Sequence, residues 1–492
     1  MKYAPTGKPS SLRMLLSHAV THGYKIHQLD VKSAFLTCEL EETVYMLPPP
    51  GYKTGEDVVL QLRKAIYGLK QASLAWYKRL SRFLSSIGFS TSLADPCVFW
   101  RTAPTPLWIF AHVDDLIIVG PDPEFFRDEI SKEFSIKYMG EASFLLGMKL
   151  DRHSNGLILN QTQYIERQLV EFEVTQLHSA SCPLDPRSHL SKASISDIQQ
   201  LQPLNINYRA IIGSLNYLSI LTRPDISFAV SKLSQFLENP GLSHYKAAMQ
   251  VFRYLKGTIG RGLLFGHAKP SPLFASVDAD WANCPDTRRS HTGYMISWNS
   301  HLISWKSTKQ CTVSLSSTEA EYKALADVGK EVVWLNNLMQ EVSLLSDTSS
   351  ITILVDNQGA IDLALSQTSQ NGFRTKHMDL RLHFVRDLIQ DKVIRLQFVP
   401  SSQNTSDYLT KPVGRINIKR ALQHLTADVI SISASCSKAQ SMSACQDTDP
   451  IAATNATDKL LKQISDHIDA QEVIQTDPNQ VQDTVQTPLM EE

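Results

Sequence analysis

The sequence predicts an α/β (or α+β) chain of more than one domain, and three observations carry that prediction. Short apolar runs of strand length mix with helical segments through the first 150 residues. Residues from about Tyr164 to Leu264 read mainly as helices, as in "YRAIIGSLNYLSILT" and "PDISFAVSKLSQFL". From Leu273 a new alternation of strands and helices begins, after the Pro-containing stretch "GHAKPSP" at 266–272, which marks a domain boundary.

Composition bounds the classes of function. A chain of 492 residues has room for roughly two to four self-supporting domains. Its 42% hydrophobic and 20% charged residues are those of a globular protein. No apolar run reaches membrane-spanning length, and "MKYAPTGKPSS" has no apolar core, so neither a membrane anchor nor a secretory signal is expected. The 7 cysteines form no CxxC pair, which points to free thiols in a reducing compartment. Residues 430–492 hold 3 lysines against 10 acidic residues. This Ser/Thr/Gln/Asp-rich tail is expected to be disordered, with one short helix near "DKLLKQISDHI". Removing its charge from the total of −1 leaves a body of +6, compatible with a phosphate backbone as partner without requiring one.

The first half turns on "PLWIFAHVDDLIIVG", two β-rich runs meeting at Asp114 and Asp115. A hairpin whose aspartates merely make the turn explains this stretch as well as a functional pair does. A second apolar strand, "YKIHQLDVKSAFL", ends in another carboxylate, Asp30. Two such strand ends side by side make an oxygen-lined pocket suited to Mg²⁺.

"QLDVKSAFL", "AIYGLKQASLAWY" and "HVDDLIIVG", in this order, resemble the palm motifs of reverse transcriptases from copia-type long-terminal-repeat retrotransposons, over residues 3 to 265. The resemblance implies Asp30 and Asp114 as metal ligands, with Asp115 as neighbour in the same catalytic pair. It implies that Tyr67, Gly68, Lys70 and Gln71 lie under the incoming nucleotide and template. It implies a helical thumb whose Lys246, Arg253, Lys256 and Arg261 meet the duplex backbone, although each also reads as a surface charge. The family's usual Tyr is replaced by His112, read as an ordinary strand histidine. "YAPTGKPSSLR" resembles the middle of the fingers, so truncated fingers are expected, completed by a partner subunit or a further polyprotein segment.

The second half offers four carboxylates. Asp278 ends the strand "PLFASV", Glu321 lies on the helix of "SLSSTEAEYKALADVGKEVVWLNNL", Asp356 ends "ITILV", and Asp407 opens the last helical segment in "PSSQNTSDYLTKP". The hairpin "GYMISWNSHLISWKS" and a strand "CTVSLS" complete the pattern. Each carboxylate could be a helix cap, and Thr318 with Glu321 fits a capping box. Against that, Leu325, Val328, Val332 and Leu335 form the buried stripe of this helix, and Glu321 lies on it. Glu319 sits about 200° round the helix from Glu321's own position on that stripe. A carboxylate aimed at a core is costly unless it is paired or binds metal.

The order Asp-Glu-Asp-Asp on strand, helix, strand and terminal helix resembles an RNase H domain, again with copia-type wording, from about 273 to 425. The resemblance implies that Asp278, Glu321, Asp356 and Asp407 hold two Mg²⁺ ions, or Mn²⁺ in their place. Asp280 is a rival to Asp278. Arg288 and Arg289 are implied to approach backbone phosphate or to be a solvated pair, and His377 with Asp379 is read as structural.

The expected architecture is a polymerase palm with partial fingers at 1–150, a helical thumb at 151–265, an RNase H-like domain at 273–425 and a disordered acidic tail at 430–492. The implied partners are an RNA template, a DNA primer, an RNA–DNA hybrid and deoxynucleoside triphosphates, and no membrane. The implied setting is a cytoplasmic virus-like particle or the nucleus. The alternative is an inactive or nuclease-only retrotransposon remnant that binds nucleic acid.

Overall fold

The apolar runs flanking the paired aspartates fold as the hairpin Leu107–His112 and Asp115–Gly120, at the middle of a six-stranded sheet. Its strand order is Ser90–Thr91, Val98–Arg101, Leu107–His112, Asp115–Gly120, Lys25–Val31 and Ile136–Glu141. Period-two alternation places Leu29, Ile109, Leu116 and Ile118 in one cluster with Trp76, Leu80 and Leu84 of the helix Ala72–Ser86. Each such buried side chain contributes about 2 kcal/mol. The helix Pro9–His22 packs against the same strands. It starts with Pro in its first turn and ends at Gly23, whose φ of 67° lets the Tyr24 N–H reach Ala19 O at 2.8 Å.

The structure is a computed structural model that describes residues 4–49, 51, 59–267, 269–345, 350–366 and 376–429, with the side chains of 376 and 377 left out. The expectations for the His377 side chain and for the tail 430–492, including its short helix, lie outside these residues. The described residues all fall in one compact unit. No helix among the described residues is long and apolar enough to cross a membrane.

The middle region is mainly helical from Thr162 to Lys256. Its helices include Thr162–Glu171, Tyr208–Leu221 and Leu242–Lys256, but strands bracket them. A five-stranded sheet runs in the order Thr426–Asp428, Arg261–Gly266, Gly156–Asn160, Met148–His153 and Phe144–Leu145. A division at 150 therefore falls inside a strand, and the final strand comes from beyond the expected end of the nuclease region at 425. Behind these helices Asp225 is buried and accepts from both Arg223 nitrogens at 3.0 and 2.8 Å, from Tyr254 Oη at 2.8 Å and from Arg261 at 3.2 Å.

The third sheet runs His301–Lys309, His291–Trp298, Phe274–Asp280, Ile351–Val355 and Ile394–Phe398. The first three strands are antiparallel, and the last two add in parallel to Phe274–Asp280. The hairpin turn is Asn299-Ser300, both at positive φ (53° and 63°), as a two-residue connection requires. The helix Ser317–Glu341 lays Leu325, Val328, Val332 and Leu335 on this sheet, all fully buried. "CTVSLS" is not a strand. It is the connection into that helix, with Leu315 exposed and Ser316 serving as its N-cap.

The first and third sheets are joined through the helices Pro9–His22 and Ser317–Glu341. The buried Arg13 guanidinium donates to Ile303 O at 2.7 Å and to Ile220 O and Leu221 O at 3.0 and 3.1 Å, and lies 4.1 Å from the Trp305 ring centroid. Trp108 Nε1 donates to Val342 O at 2.8 Å. Glu341 accepts from Ser92 Oγ and the Leu93 and Ala94 amides at 2.7, 2.6 and 3.2 Å.

Candidate metal centres

At the first centre, two neighbouring strands supply three carboxylates. Asp30 and Asp115 are cross-strand partners, and Asp114 lies in the turn beside them. The turn consists of Val113 and Asp114, and Asp115 already belongs to the second strand, which corrects the expectation that both aspartates make the turn. Val113 takes φ 57°, a left-handed conformation that β-branched residues rarely adopt. Trp76 Nε1 donates to Val113 O at 2.6 Å and the Val31 amide donates to Asp114 O at 3.0 Å, so both sides hold this turn.

All three aspartates are half-buried. Gln28 Nε2 stands 3.5 Å from Asp115 Oδ1. The Tyr67 hydroxyl hydrogen-bonds Asp114, and burial, then the negative charges of Asp114 and Asp30, raise its pKa. The Tyr67 ring packs on Phe35 with centroids 4.7 Å apart. Gly68 at φ 96° turns the chain towards the helix Ala72–Ser86, with Gln71 at its N-cap and Lys70 exposed. Of these four residues, Tyr67 has a hydrogen bond to an aspartate of the centre. Burial lowers the His112 pKa against the opposing charge of Asp114, and its Nε2 lacks a partner.

The second centre is tighter. Asp278, Glu321 and Asp356 bring ligand oxygens within 4.8 Å of one another, a grouping that Asp30, Asp114 and Asp115 do not reach. Asp278 is 5% and Glu321 6% exposed. Capping does not explain these residues. Asp278 lies within its strand, Ser316 rather than Thr318 caps the long helix by accepting from the Glu319 amide at 3.1 Å, and Asn357 rather than Asp356 caps the helix Gln358–Leu365.

Glu321 Oε1 accepts from the Ala279 amide at 3.1 Å, while the buried Oε2 has no partner. Burial raises the Glu321 pKa, and repulsion from Asp278 and Asp356 adds to it. Burial likewise raises that of Asp278, partly offset by a hydrogen bond donated by Thr410. Asp280 stays outside the grouping, with its carboxylate bonded by Asn283. An all-oxygen set with one orphaned buried oxygen suits a hard divalent cation.

Asp407 stands apart from the three and is ion-paired with Lys411. Its segment is sewn to the central strand. Asn404 Nδ2 donates to Val277 O at 2.9 Å and Ser406 Oγ to Ser276 O at 2.8 Å. Gly293, cross-strand from Asp278, makes room for the segment, since a Cβ there would stand 2.6 Å from Leu409 Cβ and 2.8 Å from Thr410 Cγ2. Sequence reasoning missed Thr410 and Lys411. The signal available was the i+4 spacing of Asp407 and Lys411 in a short helical segment.

The basic residues scatter. Arg253 Nε donates to His178 O at 2.7 Å, Lys256 Nζ to Thr175 O and Leu177 O at 2.6 and 2.9 Å, and Arg261 belongs to the Asp225 network. These three brace the fold. Lys246 and Arg288 are exposed and Arg289 half-buried.

Residues 2–186 match the family described as reverse transcriptase (RNA-dependent DNA polymerase). The chain is 38% identical over 424 residues to the retrovirus-related Pol polyprotein from transposon TNT 1-94 of Nicotiana tabacum, covering 84% of this chain and 32% of that protein. It is 30% identical over 312 residues to a transposon Ty5-1 protein of Saccharomyces cerevisiae, covering 62% of this chain and 100% of that protein. The foamy viral protease-reverse transcriptase in complex with RNA/DNA hybrid aligns with a TM-score of 0.45 at 10% identity, over 82% of this chain and 46% of that one. The chain thus spans about a third of the tobacco polyprotein's length.

Proposed function

Since this chain belongs to the reverse transcriptase family of copia-type retrotransposon Pol polyproteins, we propose that it carries two divalent-metal centres: a DNA-polymerising one at Asp30, Asp114 and Asp115, and a ribonuclease H one at Asp278, Glu321, Asp356 and Asp407. The observation that carries the nuclease reading is the closeness of Asp278, Glu321 and Asp356 around an unpartnered buried oxygen. Metal-free, this arrangement is electrostatically costly, and a divalent cation relieves it.

Mg²⁺ bound at such a centre supplies an activated nucleophile and stabilises the leaving oxygen. The chain's own residues do the rest. The Ala279 amide fixes one Glu321 oxygen, Thr410 orients Asp278, and Asn404 with Ser406 holds the Asp407 segment against the central strand. The substrate of this centre is the RNA strand of an RNA–DNA hybrid. At the first centre Tyr67 holds Asp114, and Trp76 and Val31 hold the turn, for extension of a DNA primer on an RNA template from deoxynucleoside triphosphates. In domain terms the palm occupies the first sheet, the thumb the helices between Asn160 and Arg261, and the nuclease the third sheet with its helices.

A second reading is a nuclease that no longer synthesises DNA. Among the described residues, Asp30, Asp114 and Asp115 form no such close grouping of ligand oxygens, which favours it.

The test is cleavage of a labelled RNA–DNA hybrid by the purified chain with and without Mg²⁺, beside an Asp356→Asn control, with primer extension on the same preparation. Metal-dependent cleavage lost in the variant supports the nuclease centre, and extension decides between the two readings. Equal silence of folded wild type and variant in both assays refutes the enzyme reading.

A further inference from the structure

Lys411 has no part in the nuclease reading so far, yet its ammonium closes on Asp407 Oδ1. Asp407 is the one proposed ligand standing outside the group formed by Asp278, Glu321 and Asp356. The backbone carrying the pair is fixed. Besides the bonds from Asn404 and Ser406, Ser307 Oγ donates to Leu409 O at 2.6 Å, and Thr410 Oγ1 is within 3.0 Å of Asp407 O. The side chains of the pair reach solvent, at 43% exposure for Lys411 and 24% for Asp407. An ion arriving from outside therefore meets Asp407 with the ammonium already on it.

We propose that Lys411 is a resident counter-cation of this centre, which competes with a divalent ion for Asp407 and so makes the centre fill in order, the Asp278–Glu321–Asp356 position first and the Asp407 position second. The inference rests on the nuclease reading and extends it to how the site is loaded. The charge of Asp407 repels that of the neighbouring group, Asp278 in particular, while no metal is bound, and the ammonium offsets it. A dication at the same distance is attracted twice as strongly as the ammonium, so it can displace it. Lysine suits the exchange because its charge sits on a flexible stem and withdraws without backbone change, whereas the arginine fork would grip the carboxylate at two points.

The experiment is a Mn²⁺ titration of the full chain, with free Mn²⁺ followed by its electron paramagnetic resonance signal. Wild type is expected to show a tight class of site, abolished by Glu321→Gln, and a weaker class, abolished by Asp407→Asn. Lys411→Met tightens the weaker class by about tenfold, of the order that one charge-assisted bond supplies. Lys411→Arg, which keeps the charge, does not tighten it. In the Asp407 and Lys411 variants the tight class doubles as the check that the chain is folded, and thermal melting serves that purpose for Glu321→Gln. If Lys411→Met leaves the weaker class unchanged or weakens it while the tight class persists, the counter-cation role is refuted and the metal centre stands. If no class depends on Glu321, the metal reading itself fails, and the inference with it.

Discussion

Glu321 accepts the backbone N–H of Ala279, the residue that follows Asp278, at 3.1 Å. That bond ties the long helix to the central strand at the point where two carboxylates are buried together, and it satisfies one Glu321 oxygen while leaving the other bare.

The first prediction concerns stability without metal. Burial raises both the Glu321 and the Asp278 carboxyl. Each therefore keeps its proton in the fold at pH values where the unfolded chain has released it. The contribution of these two groups to stability is greatest below their unfolded values, about pH 4, and falls as pH rises towards the raised folded ones. Glu321→Gln removes one of these ionisations. In a thermal-melt series without divalent ions, from about pH 5 to about pH 8, the variant's Tm should decline less than that of wild type. Its advantage at the alkaline end should be about 1 °C per kcal/mol recovered for a chain of this length. Parallel curves would mean that Glu321 ionises in the fold as it does in the unfolded chain.

The two centres should be separable. Asp114→Asn is expected to lower primer extension by at least about 100-fold and to leave hybrid cleavage intact, and Asp278→Asn to do the reverse. Loss of both activities in either folded variant would show that the assignment of chemistry to the two centres is wrong.

Gly293→Ala tests the fit of the Asp407 segment. The added Cβ would press on backbone-proximal atoms of Leu409 and Thr410. The segment must then retreat from Asp278, at a stability cost of about 1–3 kcal/mol. Hybrid cleavage should fall at least about tenfold, with primer extension unchanged. Unaltered cleavage would show that the segment's seating does not matter to the centre.

Trp76→Phe removes the donor to Val113 O while keeping most of the buried ring. The carbonyl left unsatisfied costs about 1–3 kcal/mol, and the strained turn loses one of its two holds. Denaturant melts should register the loss, and extension should weaken more than cleavage does. An effect confined to cleavage would contradict the placement of this turn in the polymerase centre.

What was legible in the sequence followed from local period. Leu325, Val328, Val332 and Leu335 fixed the inward face of their helix, and with it the direction of Glu321. The β-rich apolar runs on either side of Asp114 and Asp115 implied a hairpin, although Val113 takes the turn position that its side chain disfavours, because Trp76 and Val31 hold it there. Long-range pairing was not legible. "GLILN" is too short an apolar run to announce which strand it joins, and Arg261–Gly266 finds one partner about 100 residues earlier and the other about 160 residues later in the chain. "CTVSLS" has strand composition but no neighbour to pair with, so it connects instead. The Lys411–Asp407 pair was hidden because a surface lysine near an aspartate looks the same whether or not the aspartate belongs to a site.

The strand Thr426–Asp428 closes on Arg261–Gly266, and the whole third sheet lies between them along the chain. In topological terms the region of the third sheet is nested within the middle subdomain, as an insertion in one of its connections. At synthesis rates of roughly 5–20 residues per second, the edge of Arg261–Gly266 leaves the ribosome about 10–30 s before its last partner exists. Vectorial folding thus leaves a bare strand edge exposed until the third-sheet region has emerged, and a chain cut at 425 keeps that edge open permanently.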